Sequence, residues 1–138
     1  MDSLFESFHS VYFSYREFSD SITAERHGIS NDVPEHLLGN MLSVFYRLDF
    51  VREYVGFPIL ITSGYRSPKL NTLVGGASGS YHLSALAVDI RPRIDSEFAA
   101  LKDCLSRFKS QLLIKELIFH ESHGYIHVAF FPLPYTFV

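Results

Sequence analysis

The sequence predicts an α+β domain with a small, mainly antiparallel sheet and helices packed on one side of it. Helix-period apolar patterns occupy the front of the chain and a stretch of its second half, and short β-branched runs lie between them. Near the C-terminus two apolar runs are separated only by Ser122-His123-Gly124, which reads as a β-hairpin. At 138 residues, with no repeat and no Pro, Gly or Ser-rich linker, the whole chain 1–138 reads as a single domain.

In chain order, Ser19 to His27 reads as a short helix closed by Gly28. A longer helix starts with Pro34 in its first turn and carries Leu38, Met41, Leu42, Phe45, Leu48 and Val55 on one face; Gly56 and Pro58 end it. Pro58 to Ser63 is a buried strand, and the run from Gly64 to Ser80 is rich enough in turn residues to form a functional loop. Leu86 to Ile90 is a second strand, and Asp95 to Lys109 a helix with Phe98, Leu101, Leu105 and Phe108 buried. Leu113 to Glu121 and Tyr125 to Phe131 form the hairpin.

Composition excludes several classes. A net charge of -3 and a pI near 6.1, with no basic stripe, argue against nucleic-acid binding. No segment approaches the roughly 20 apolar residues of a membrane span. The acidic start MDSLFESFHSVYF lacks the basic and apolar regions of a secretory signal, so synthesis in the cytoplasm is expected, with release by another agent if the target lies outside. Cys104, the sole cysteine, excludes an internal disulfide and a multi-thiolate site; beside Leu101 and Leu105 it reads as core packing. The 15% aromatic content suits a packed core or a groove for an extended substrate. Oligomeric state is not written in the sequence.

Asp89 stands inside Leu86-Ala87-Val88-Asp89-Ile90, where an unpaired carboxylate costs several kcal/mol, so it requires a partner. His127 is the lone polar group of a second apolar strand, and His82 lies just before the Asp89 strand. Each alone is compatible with an ordinary core or surface group. Together, two imidazoles and a carboxylate suit zinc, with a fourth position open for water. His82 and Asp89 are seven residues apart and would face opposite sides of one straight strand, so His82 lies in the preceding loop or the chain bends near Ser84-Ala85.

At these residues the chain resembles a family. Ile61-Thr62-Ser63-Gly64-Tyr65-Arg66-Ser67, Leu70-Asn71, Val74-Gly75-Gly76, Ser80-Tyr81-His82, Ala87-Val88-Asp89-Ile90 and Ile126-His127-Val128 look like the zinc D-alanyl-D-alanine carboxypeptidases, above all their compact bacterial and phage versions. The likeness runs from about Phe13 to Phe130, and the same zinc site and sheet recur in lysostaphin-type endopeptidases and the Hedgehog domain. The resemblance implies hydrolysis of a peptide bond in bacterial peptidoglycan, by a D-Ala-D-Ala-type carboxypeptidase or by a wall-lysing endopeptidase. It implies that His82, Asp89 and His127 bind Zn2+ and that Arg66 polarises the scissile carbonyl and stabilises the oxyanion. Ser80, Tyr65 and Tyr81 would contact the peptide.

Two positions depart from the family pattern. The general base usually stands three residues before the last zinc histidine as Glu, or two before as His, where this chain has Gly124 and Tyr125. Glu121, six residues before His127, is the expected base, with His123 and His120 in reserve. Ala85 falls where the family usually has Gly shortly after the histidine. The displaced base leaves open an alternative in another class, a zinc-stabilised binding module without turnover. A metal-free domain with purely structural His and Asp residues is a third.

Overall fold

The computed structural model describes residues 8–133. Residues 1–7, the acidic start read above as unlike a secretory signal, and residues 134–138, both counted in the single domain, lie outside the described residues.

The chain opens with two short helices, α1 (Tyr15–Ser19) and α2 (Ile22–Arg26). The expected single helix from Ser19 to His27 is therefore divided. Ser14 and Glu17 form a reciprocal capping box that starts α1 four residues earlier than Ser19, and Ser21 caps α2 through the amide of Ala24. A 3-10 turn at Glu35–Leu37 leads into the long α3 (Leu38–Val55), which ends at Gly56 in the left-handed region at φ 79°. Strand β1 (Ile59–Ser63) follows. The expected loop from Gly64 to Ser80 contains a helix, α4 (Pro68–Leu73), started by the Ser67 side chain accepting from the amide of Leu70 and by Pro68 in the first turn.

A 3-10 turn at Tyr81–Ser84 precedes β2 (Ala87–Pro92). A further 3-10 turn at Asp95–Glu97 leads into α5 (Phe98–Arg107). The hairpin consists of β3 (Ile114–His120) and β4 (Tyr125–Phe130), closed by a 3-10 turn at Glu121–His123 and by Gly124 at φ 74°. All pairs in the four-stranded sheet are antiparallel and the order is β1-β2-β4-β3. Among the described residues no helix is long and apolar enough to cross a membrane.

Strand alternation separates core from site. Val88 and Ile90 of β2 and Ile126 and Val128 of β4 are fully buried in one core with Met41, Phe45 and Leu48 of α3 and Leu101 and Leu105 of α5. Asp89 and His127, between those pairs, therefore project to the opposite face. Arg47 joins the far end of the sheet to α3: its guanidinium donates to the carbonyls of Leu112 and Phe131 and lies 4.4 Å from the Phe130 ring centroid. Cys104 is buried in the core, and burial together with the Asp103 charge pushes its thiol up to about 11.

Candidate metal centre

His82 is placed by its backbone surroundings. It sits in the 3-10 turn capped by Ser80, whose hydroxyl accepts from the His82 amide at 3.2 Å. The chain then reverses at Ala85, which takes the left-handed conformation at φ 60°, and the Leu86 amide returns to the Tyr81 carbonyl at 3.0 Å before β2 begins. Both ways of reconciling a seven-residue spacing are thus used: His82 lies ahead of the strand, and the chain bends at Ala85. An alanine here carries a conformational cost of roughly 1–2 kcal/mol that glycine would not.

The His82 ring is oriented from behind. Nδ1 donates to the carbonyl of Gly64 at 2.6 Å, just past β1, which fixes the tautomer and turns Nε2 toward Asp89. Gly64 has no room for a side chain, because a Cβ there would collide with the carbonyl and ring of Phe18. His82 Nε2 is buried without a hydrogen-bond partner and lies 3.3 Å from Asp89 Oδ1.

Asp89 and His127 are direct cross-strand partners on β2 and β4, and His127 Nδ1 lies 3.0 Å from Asp89 Oδ1. The other ring nitrogen donates to Glu116 Oε1 on β3 at 2.9 Å. Burial raises the pKa of Asp89, but the hydrogen bond to His127 and the closeness of the His82 and His127 rings outweigh it and hold the carboxyl well below its usual range. Burial lowers that of His127, and its bonds to Asp89 and Glu116 reverse the shift upward.

One nitrogen from each imidazole and one carboxylate oxygen lie within 4.8 Å of one another, a grouping that fits a metal ion. The buried Nε2 of His82 supplies an independent test of that fit: a buried donor or acceptor without a partner is costly, and a ligand bond would satisfy it. Glu116, at the other ring nitrogen of His127 and itself lining the cleft, has the place of the carboxylate that commonly orients a metal-binding histidine. Sequence reading missed it; the signal was a carboxylate two residues along β3 from Ile118, the residue facing His127.

Arg66 enters the same cleft. Its Nη2 lies 3.7 Å from Asp89 Oδ2, and its Nη1 donates to the side-chain oxygen of buried Asn71 at 3.3 Å. Asn71 in turn donates to the Ala77 carbonyl, and Gly76 presses against both side chains so closely that a Cβ would collide with them. Ser80 and Tyr81 line the cleft, a cavity of about 260 Å3, and Lys115 sits 4.9 Å from the Tyr81 ring centroid. Tyr65 is buried and lines a neighbouring groove instead.

The structure does not bring Glu121 to this cluster. It follows the end of β3, is exposed, and pairs through Oε2 with Lys102 Nζ at 2.9 Å, which turns it toward α5. His123 is exposed on the hairpin turn beside Ser122. His120, the last residue of β3, lines the metal cleft and stacks on Tyr125 with ring centroids 4.4 Å apart.

Two imidazoles and a carboxylate beside an arginine in an open cleft are a donor set suited to a metal ion. The profile of the Peptidase M15 family matches residues 11–129, and the chain belongs to that family. It is a peptidase and acts on a peptide substrate. A search of curated proteins finds no match to the chain.

Proposed function

We propose that this peptidase depends on zinc and cleaves a peptide bond of bacterial peptidoglycan. The observation that carries the metal assignment is the convergence of His82, Asp89 and His127, with His82 Nε2 buried and otherwise without a partner. The ion would be held by His82 Nε2, Asp89 Oδ1 and His127 Nδ1. When bound, zinc supplies Lewis acidity and brings the pKa of a water toward roughly 7.

The chain's own residues supply the remainder. Gly64 and Glu116 hold the two imidazoles in orientation. Arg66, restrained by Asn71, presents a permanent charge to the scissile carbonyl and to the negative charge that develops on its oxygen. His120, in place of Glu121, takes the proton of the attacking water and returns it to the leaving amine, because His120 faces the cleft while Glu121 is held by Lys102. Tyr81 and Ser80 form the wall against which the peptide lies. On this reading the enzyme reaches the wall after release by a separate lytic agent.

The test is zinc content together with fragment release from purified peptidoglycan. Wild type is expected to carry one zinc per chain and to cleave, and His127→Ala to lose both. His120→Gln should keep zinc and lose about 10²–10⁴-fold in rate, as for removal of a general base, while Glu121→Gln stays near wild type. The reverse pattern in the last two variants would return the base to Glu121. Stoichiometric zinc without cleavage of any wall chemotype would point to a binding module.

A further inference from the structure

Beside the metal cleft lies a second, larger space. A groove of about 900 Å3 runs from Arg66 past the end of β1 to the segment around α2, and Arg66 lines both it and the metal cleft. Volumes of this order hold ligands of many atoms, whereas the cleft alone, at about 260 Å3, is smaller than usual ligand pockets.

Two features suit the groove to a main chain in extended form. Thr62 and Ser63 line it, and they belong to β1, which among the described residues is an edge strand paired with β2; just beyond the strand the Tyr65 amide is already taken by the Phe18 carbonyl. An edge strand offers one row of amide and carbonyl groups to an added chain. The facing wall is preset: buried Asn31 donates to the carbonyls of Ser19 and Tyr65 and accepts from the amide of Ser67, tying the segment of Ser30 and Asp32 to the strand end that carries Arg66. A rigid wall loses little entropy on binding.

We propose that this groove holds several residues of the substrate, on one side of the scissile bond, extended along the outer edge of β1. The inference deepens the peptidoglycan reading and rests on it for the substrate class. It makes the protein an enzyme of long peptides, with a free dipeptide too short to use the groove.

The experiment uses the full chain loaded with zinc and synthetic peptides ending in D-alanine, from two to five residues long. Titration with the pentapeptide, followed by amide resonances, should shift Ser30, Asn31, Thr62 and Ser63, and kcat/KM should rise at least 10-fold from dipeptide to pentapeptide. In Ser30→Trp, which places a large ring in the groove, the ratio of pentapeptide to dipeptide kcat/KM should collapse toward one, with Tm and zinc content as controls of folding. Absence of the resonance shifts at saturating peptide, or equal kcat/KM across the lengths, overturns the proposal. Shifts at these residues without turnover would uphold the groove and instead overturn the proposed peptidoglycan substrate of the neighbouring centre.

Discussion

The imidazole of His82 donates from Nδ1 to the carbonyl oxygen of Gly64 at 2.6 Å, so the residue after the first strand sets the direction of Nε2, a nitrogen of the proposed metal centre, in the turn before the second. Gly64→Ala would force the strand end away from Phe18 and take this acceptor with it. The expected result is about 1–3 kcal/mol of destabilisation from overpacking and a loss of about 10–100-fold in zinc affinity from the disturbed support. Denaturant unfolding and competition with a chromophoric chelator measure the two effects.

On the proposed zinc reading, the metal and protons compete for His127. In the metal-free chain its bonds to Asp89 and Glu116 raise its pKa above the ordinary 6.5 against the effect of burial. The protonated ring therefore stabilises the metal-free fold fully below 6.5, and that contribution is lost as pH rises through the elevated folded pKa. Because the metal needs Nδ1 free of its proton, binding should release a proton, and apparent affinity should increase with pH through and beyond 6.5 before levelling. Calorimetry in buffers of different ionisation enthalpy counts the proton directly.

Arg66 depends on Asn71. Arg66→Ala removes the cation beside the metal cluster and is expected to lower kcat by about 10²–10³, as for loss of an oxyanion donor. Asn71→Ala leaves the cation but removes its acceptor; a hydrogen bond to a charged group contributes about 1.5–3 kcal/mol, or roughly 10–150-fold in rate if it acts wholly on the transition state. KM and zinc content should change little in either variant. A parallel loss of zinc from Asn71→Ala would show that it supports the loop and not the guanidinium alone.

Cys104 has no exposed surface, and burial followed by the Asp103 charge raises its thiol to about 11. The thiolate is the reactive species, so the native protein should resist an aromatic disulfide reagent at pH 8 and react promptly in denaturant. Rapid labelling of the folded protein would place the residue outside the core.

The sequence disclosed most where one physical rule acted alone. The long helix, its stop at Gly56, the strands β2 and β4, and the isolation of Asp89 and His127 among apolar neighbours all followed from local pattern. The α4 helix was hidden because glycines and serines on either side of Pro68–Leu73 gave the whole stretch the composition of a loop, although Ser67-Pro68 was a valid helix start. The direction of Glu121 was not legible: it depends on Lys102, which reaches it from α5 and has no sequence relation to the hairpin. Nor was Glu116, whose role exists only because β3 lies beside β4 in a particular register.

That pairing of Asp89 with His127 has a consequence for assembly of the chain. The two residues come from adjacent strands 38 positions apart in sequence, and slipping one strand by a single residue would send its side chains to the opposite face and scatter the ligands. With a metal held as proposed, metal affinity becomes an assay of register: misaligned pairings would bind the ion poorly, and every increment of metal concentration would favour the aligned one by mass action. On that reading, the proposed metal centre also proofreads the sheet on which it is built.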